Sequence, residues 1–333
     1  MVRIDVAATM AVVLVVLVVL VAVLYITTVH ASRANSTDIV LKSPPGYVPP
    51  QIRSRPRVGI VILTKNPIGF DRWLTHHRSI GIERIYVCVE DTPELVSKLR
   101  GMGDFVHVTV STGTRSYFSL MERQERHVNV SIPRARDDGL THLLHIDDDE
   151  LLYMPSGKHA FDAELSRCDA STVHLDNIEA VYDQSSCNDP FVTTTHFCVR
   201  PSHFTSYANG KSLGALKDPT LRARGPHAFT GRETRMPSFA AIIIHYEGAC
   251  TMQWAEKFTA YSKSTPEACK GGKGAKSDVG AHIPFKYYCD SIDAFTNRNN
   301  VSDPESVWRR WKLRSHRVQS GVIRIDDVVS LQR

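Results

Sequence analysis

Val58-Gly59-Ile60-Val61-Ile62-Leu63, followed at once by Thr64-Lys65-Asn66-Pro67, is the stretch on which the fold turns. Six consecutive residues without a polar side chain suit a strand buried on both faces, as in a parallel sheet, and Asn66-Pro67 ends it. Phe70 to Ile80 carries apolar positions Phe70, Trp73, Leu74 and Ile80, the spacing of a helix, and Gly81 terminates it. Ile85-Tyr86-Val87-Cys88-Val89 is a second apolar run, ending at Glu90-Asp91. A helix from Pro93 to Arg100 and a strand from Phe105 to Val110 complete a third step. Strand, helix, strand, helix, strand at this spacing predicts right-handed βαβ units. Tyr117 to Asp138 reads as mostly helical, with Pro133 allowing a break, and Leu140 to Ile146 as a fourth strand. The expected fold class is α/β, an open and mostly parallel sheet flanked by helices.

Upstream, Val6 to Val29 contains no charged residue. At about 1.5 Å per residue it spans about 36 Å as a helix, enough to cross a hydrocarbon core of about 30 Å. A cleaved signal peptide is the competing interpretation, since Val29-His30-Ala31 resembles a cleavage site, but its apolar region would be only about 7–15 residues. The expectation is therefore an N-terminal transmembrane signal-anchor over 6–29. Residues 1–5 form a cytoplasmic tail, and a Ser- and Pro-rich stem over 30–57 precedes the globular part. A short tail with a large domain behind it favours a single-pass type II orientation, facing the lumen of the Golgi or endoplasmic reticulum. Sequons at Asn35, Asn129 and Asn300 agree with that. Seven cysteines without a CxxC pair argue against a zinc ribbon or a thioredoxin-type site, and up to three disulfides with one thiol left over suit an oxidising lumen. Cys88, in an apolar strand, is the expected buried thiol, and Cys187 with Cys198 is a pairing suggested by proximity. Lys and Arg number 40 against 35 Asp and Glu, interspersed, which does not form the basic stripe that nucleic acid requires.

Ligands of open α/β sheets bind beyond the carboxyl ends of the strands. Those ends here carry Thr64-Lys65-Asn66, Glu90-Asp91 and, most informative, His145-Ile146-Asp147-Asp148-Asp149-Glu150. Four adjacent carboxylates raise one another's pKa unless a cation neutralises them, and oxygen ligands favour a hard ion such as Mg²⁺ or Mn²⁺. If extended backbone continues, Asp147 and Asp149 point to one side and Asp148 to the other, a geometry suited to an ion that bridges a diphosphate. An acidic helix N-cap is the plain alternative, but Leu151-Leu152-Tyr153-Met154-Pro155 begins no convincing helix.

A strand ending Ile-Asp-Asp-Asp-Glu resembles the metal-binding Asp-x-Asp motif of GT-A fold glycosyltransferases. Ile62-Leu63-Thr64-Lys65-Asn66, Trp73-Leu74-Thr75-His76-His77 and Gly81-Ile82-Glu83-Arg84-Ile85-Tyr86 are similar to the opening of family 2-like and family 92 enzymes. Arg123-Gln124 and Arg134 to Gly139 fit the same pattern, as do Asn209-Gly210-Lys211-Ser212, Gly225-Pro226-His227-Ala228-Phe229 and His245-Tyr246 with Trp254 and Lys257-Phe258. The resemblance covers about Val58 to Ser262, so a GT-A-like catalytic domain is expected over 58–262, with a C-terminal extension over 263–333 packed on it. It implies a nucleotide-sugar donor, UDP-linked, with Mn²⁺ or Mg²⁺ as cofactor, and a glycan or glycoconjugate acceptor. Thr64, Lys65, Asn66, Glu90, Asp91 and Asp148 would line the donor site, and Lys211 would meet the diphosphate. Asp147 and Asp149 would hold the metal with one of two histidines, His227 or His245, though a buried structural histidine is the plain alternative for each. An inverting transfer needs a carboxylate base. Asp176, Glu179, Asp183, Asp189 and Glu247 are candidates, with Glu247 and Asp183 foremost. Lys270 to Lys276 is a basic Gly-rich loop, not a P-loop. The rival functions are a metal-dependent phosphoesterase and a non-catalytic glycan-binding protein that keeps the fold.

Overall fold

The computed structural model describes residues 39–52, 54–111, 119–185, 187–264, 285–296, 303–314 and 321–326. The first half follows the expected alternation. β1 (Val58–Thr64), α1 (Phe70–Ser79), β2 (Arg84–Glu90), α2 (Pro93–Arg100), β3 (Val106–Ser111), α3 (Leu120–Asp137) and β4 (His142–His145) run in order. β1 pairs in parallel with both β2 and β4, and β2 with β3. α3 continues through Pro133, where a break was allowed.

The chain then changes sheets. β5 (Glu150–Tyr153) leaves the first sheet, and α4 (Gly157–Arg167) leads to β6 (Thr172–Leu175), which rejoins it. β7 (Asn177–Val181), the short α5 (Pro190–Thr193) and β8 (His196–Cys198) follow, then β9 (Lys211–Ala215), β10 (Ala223–Arg224), β11 (Ala228–Phe229), β12 (Glu233–Arg235) and β13 (Ile242–His245). α6 (Thr251–Ser264), α7 (Phe285–Thr296), α8 (Pro304–Lys312) and β14 (Val322–Arg324) complete the described chain. The large sheet has the order β12-β6-β9-β4-β1-β2-β3, with β9 antiparallel to both neighbours. A second sheet has the order β14-β8-β7-β13-β5, and β10 pairs with β11 alone. The acidic turn at 147–149 is thus the crossing point between two sheets.

Alternation along β1 explains the layering. Ile60 and Ile62 face a core with Trp73 and Leu74 of α1 and Leu95 and Leu99 of α2, which the second sheet shares through Leu152, Ile178 and Ile244. Val61 faces the other way, against Val128, Ile132 and Ala135 of α3. Each face of β1 is covered by helices, which is why the run is apolar throughout.

α1 does more than cover a face. The Trp73 indole donates to Glu150 O at 2.7 Å, His76 Nε2 bonds Leu152 O at 2.8 Å, and Leu152 N donates to His77 Nε2 at 3.2 Å. His77 Nδ1 in turn bonds Trp73 O at 2.8 Å. Three side chains on one helix face therefore fix the backbone of β5 immediately after the acidic turn.

One expectation is corrected. Cys187 bonds Cys250, 63 residues away, with Cα atoms 4.6 Å apart, and not Cys198. β7 and β13 are parallel neighbours with Glu179 opposite His245, so the loops that follow them lie side by side. Cys198 Sγ instead donates to Arg200 O at 3.7 Å. Cys88 is buried in β2 as expected. Asn129 lies within α3, where its side-chain oxygen accepts Ala223 N at 2.9 Å. Among the described residues no helix is long and apolar enough to cross a membrane. The 6–29 span, the sequons at Asn35 and Asn300 and the Lys270–Lys276 loop lie outside them.

His76 and His77 are held in the neutral form. Burial lowers the pKa of His76, and burial together with the neighbouring His76 takes His77 well below the usual value. The unfolded chain then binds more protons than the folded one below about pH 6.5, so stability is full above that value and falls as the pH drops. Each of the two contributes up to about 1.4 kcal/mol per pH unit. Chemical denaturation at pH 7.5, 6.5 and 5.5 should show the loss beginning near pH 6.5, shallower in His76→Gln; the same slope in that variant as in the wild type would contradict the assignment.

Candidate active site

β9 begins where β4 ends. Leu213 sits opposite Leu144 in the antiparallel ladder, so Lys211 enters beside the acidic turn. Its position depends on Gly210, at φ +57, where a Cβ would lie 1.9 Å from Leu175 O. Only glycine fits so close an approach of two backbones. The Lys211 ammonium, with no exposed side-chain surface, reaches Asp147 Oδ2 at 2.5 Å and Glu150 Oε2 at 3.2 Å. Pro226 O lies 3.4 Å away. Gln124 Nε2 donates to Asp147 Oδ1 at 2.7 Å, and Asp147 N donates to Glu150 Oε2 at 2.7 Å. Both oxygens of Asp147 are therefore engaged inside the protein.

The backbone does not continue extended through the cluster. Asp148 and Asp149 form a turn, closed by Glu150 N donating to Asp147 O at 3.2 Å. Asp147 and Asp149 consequently do not share one face of a strand, and each carboxylate has its own surroundings. Asp148 accepts the Thr64 hydroxyl across from β1. Asp149 meets His245, with Oδ2 3.7 Å from Nε2. The β13–β5 ladder brings this about: His245 lies opposite Glu150, and Tyr246 N donates to Asp149 O at 2.7 Å.

Electrostatics separate Asp147 from Asp148 and Glu150. Burial opposes the charge on Asp147, but Lys211 overcomes it and holds this carboxyl well below the usual range. Burial and neighbouring Asp149 push Asp148 up to about 7, and burial pushes Glu150 up to about 7 in spite of Lys211. Burial also works against a charged His245, yet Asp149 raises its pKa. His227 is the reverse case: burial and Lys211 push it down to about 3. Its Nδ1 bonds Gly210 O at 2.8 Å, and its ring packs on Tyr207, which also packs on His245 at 4.6 Å.

The remaining sequence candidates separate clearly. Glu90 is buried beneath Arg123, which donates to both its oxygens at 2.8 and 3.0 Å. Lys65 pairs with Asp91 at 2.9 Å on the rim, and Asn66 Oδ1 accepts the Thr92 hydroxyl at 3.1 Å. Glu247 is 8% exposed and paired with Lys257, with Lys312 3.8 Å away. Burial opposes its charge, but Lys257 and Lys312 keep it ionised, well below the usual carboxylate range. Asp183 is largely exposed and near Arg314 and His196 at 3.6 and 3.9 Å, contacts that do not include the acidic turn. Glu179 is saturated by Thr205, Ser206 and Lys312. Asp176 bonds Ser238 at 2.8 Å, and Asp189 bonds Arg72 at 2.7 Å. Gln124 had one sequence signal: it occupies the buried Gln124-Val128-Ile132 stripe of α3, where a polar side chain needs a partner. Nothing local marks Tyr207.

The donor set can be tested against a divalent cation. Among the described residues no three His, Cys, Asp or Glu side chains gather tightly enough to hold an ion by themselves. Asp149 and His245 face one another, however, with Asp148 alongside, and His245 Nδ1 and Glu150 Oε1 are buried without partners. Mg²⁺-like ions are commonly held by one or two protein groups plus substrate phosphates, and the site fits that mode. Asp147 fits only if Lys211 withdraws.

No protein-family model matches the chain. Two Arabidopsis thaliana proteins, each named glycosyltransferase-like, are 26% and 23% identical over 242 and 243 residues, 56% of this chain in both cases. This chain is similar to glycosyltransferase-like proteins. The alignments cover 53% and 46% of those two proteins, so the chain spans about half the length of the curated relatives it matches. Among solved structures, HddC from Yersinia pseudotuberculosis aligns at 10% identity and TM-score 0.28 over 60% of this chain and 96% of that one. Rv0371c from Mycobacterium tuberculosis aligns at 13% and 0.24 over 38% and 68%.

Lys211 is the cation the turn depends on. Lys211→Met should destabilise the protein by about 3 kcal/mol, because it removes the counter-charge from the fully buried Glu150 and from the partly buried Asp147. Adding Asp147→Asn and Glu150→Gln should recover part of that loss. Urea denaturation of the single and triple variants checks this, and a triple variant less stable than the single one would contradict it.

Proposed function

We propose that the protein is a glycosyltransferase of GT-A type, similar to the family 2-like and family 92 enzymes. It transfers a sugar from a UDP-linked donor to a hydroxyl of a glycan or glycoconjugate. The observation that carries this is the acidic turn after β4, flanked by the β1 end at Thr64 and by His245 on β13. Similarity to glycosyltransferase-like proteins supports the same reading. The anchor over 6–29 and the stem over 30–57 would place the domain in the lumen of the secretory pathway as a type II membrane protein.

Asp149 and His245 would hold Mn²⁺ or Mg²⁺, with Asp148 beside them and His227 as the other candidate imidazole. When bound, the ion would offset charge on the leaving diphosphate. Asp147, tied to Lys211 and Gln124, acts as the rigid base of the turn, and Lys211 acts through it rather than on the diphosphate. Thr64, Lys65 and Asp91 are the rim groups for the nucleoside, while Glu90 orients Arg123. Glu247 is the favoured base over Asp183, since it lies two residues from His245; to take a proton it would have to be released by Lys257 and Lys312, which hold it well below the usual carboxylate range. In an inverting transfer it takes the acceptor hydroxyl proton as that oxygen bonds the anomeric carbon. The bond from that carbon to the diphosphate breaks, and UDP leaves with the electron pair.

A thermal melt with UDP, with and without Mn²⁺, tests the site. A ligand at about 100 times its Kd stabilises the folded state by about 2.7 kcal/mol, a shift of several degrees. The shift should require both UDP and Mn²⁺, and Asp149→Asn should abolish its metal-dependent part with the fold intact. No shift with both present, or one indifferent to Mn²⁺ and to Asp149→Asn, would overturn the proposal.

A further inference from the structure

The last part of the stem sequence is fastened to the domain. Ile39 N donates to Val199 O at 2.9 Å, and Ile39 and Leu41 pack against the core. The Tyr47 ring meets Phe239 edge-on, with ring centres 4.7 Å apart, and its hydroxyl donates to Glu164 of α4 at 2.7 Å. Further along, the Ser166 hydroxyl donates to Ser54 O at 3.2 Å, and Arg55 lies 3.7 Å from Asp162. Arg57 N then donates to the Thr141 hydroxyl at 2.8 Å. The described residues of 39–57 thus form a strap from β8 past α4 to the start of β1. None of these contacts involves the acidic turn.

Pinning one side of an extended chain decides what the other side presents. With Ile39, Leu41 and Tyr47 turned inward, Val40, Lys42 and Val48 are turned out. Val48 is 80% exposed and Val40 67%, high values for apolar side chains. Between them Pro44 O accepts Tyr47 N at 3.0 Å, closing a turn, and residues 43–46 are exposed. Among the described residues nothing lies within 4 Å of where a Gly46 Cβ would stand, so the turn projects from the body.

Charge and position single out the partner. Lys42, Arg53, Arg55 and Arg57 fall within 39–57, which holds no Asp or Glu. Arg57 is paired with Glu83 at 2.8 Å, and Lys42 and Arg55 are exposed. Exposed valines among cations suit an anionic bilayer surface, which offers phosphates to the cations and the headgroup–acyl boundary to the valines. An acidic protein would satisfy the cations alone. Val40 follows Val29, the last residue of the uncharged 6–29 stretch, by eleven residues. No more than about 40 Å of chain therefore separates the two. A surface tethered within that reach meets lipid at high effective concentration, so a small patch suffices.

We infer that the outer side of the strap rests on the bilayer surface, with Lys42 and Arg55 against anionic lipid headgroups and Val40 and Val48 at the boundary with the acyl chains. The inference rests on the anchor reading above and adds the face that the domain turns to the membrane. The test uses the full chain with phosphatidylcholine vesicles, with and without phosphatidylserine, and in neutral detergent micelles. Amides of 40–43 and 46–48 should exchange hydrogen about tenfold more slowly on the phosphatidylserine vesicles than in detergent. High salt should remove most of the part that phosphatidylserine adds. Val40→Ser with Val48→Ser, and Lys42→Gln separately, should return exchange towards the detergent rate and leave the UDP and Mn²⁺ shift unchanged. Equal exchange on vesicles and in detergent, in a chain that resists alkaline carbonate extraction, would overturn the inference and leave the anchor standing. Slow exchange in detergent that depends on protein concentration would also overturn it, in favour of a second copy of the chain. A chain that carbonate extracts, yet that binds phosphatidylserine vesicles until these residues are changed, would sink the anchor and support the strap surface. Binding to no vesicle at all would overturn both.

Discussion

A buried ammonium organises the centre of this molecule. Moving a lysine fully out of water costs several kcal/mol, and the cost is met only when its charge is paired and its protons are accepted. Lys211 meets both conditions with Asp147, Glu150 and Pro226 O. The same contacts let a tight acidic turn exist at a strand end, where like charges alone would force it apart. The sequence supplies the partner from 64 residues beyond Asp147, through a strand that runs antiparallel in an otherwise parallel sheet. That strand reversal sets the ammonium against the carboxylates. The carboxylates divide accordingly: Asp147 is engaged by the internal pair, while Asp148 meets Thr64 and Asp149 meets His245 at the strand ends.

A second constraint comes from the opposite side. Trp73, His76 and His77 are polar or amphipathic groups on the buried face of α1, an unfavourable place unless each finds a partner. All three find one in the backbone of Glu150 and Leu152. The register of β5 is thereby fixed, and with it the pairing that sets His245 opposite Glu150. Trp73, His76 and His77 act on the turn through the backbone atoms of β5, which makes their role one of positioning.

How much of this was legible follows from the range of the forces involved. β1, α1, β2, α2 and the acidic strand could be read from apolar runs and helical spacing, because Ile60, Val61 and Ile62 are buried on two faces and Trp73 and Leu74 on one. The rim also emerged correctly, since parallel strands must end together: Thr64 reaches Asp148, and Lys65 reaches Asp91. What failed was what depends on pairing distant segments. Periodicity cannot tell that β5 leaves the first sheet, so the Asp147–Asp149 geometry was drawn on an extended strand that is a turn. Nor can spacing favour Cys250 over the nearer Cys198 as partner of Cys187, because only the parallel pairing of β7 with β13 brings those loops together. Glu179 looked like a base for the same reason: its partners Thr205, Ser206 and Lys312 lie up to 133 residues away.

Lys312 shows how far the site's support extends. This lysine, at the end of α8, is fully buried, 3.1 and 3.2 Å from the Thr205 and Ser206 hydroxyls, 3.5 Å from Glu179 and 4.7 Å from the centre of the Tyr287 ring. It stands to Glu179 and Glu247 as Lys211 stands to Asp147 and Glu150, one buried cation shared by two carboxylates. The segment between the two networks is short: Thr205 and Ser206 belong to the first, Tyr207 packs on His227 and His245, and Lys211 belongs to the second. Trp308 adds a bond to Gly248 O at 2.7 Å, next to Glu247. The residues of α7 and α8 are therefore no appendage to the α/β body. They close the core beneath Glu247, and a buried charge placed there leaves its carboxylate partners few alternative positions. A site suspended between two such cations has its geometry fixed before any ligand arrives, as electrostatic preorganisation requires.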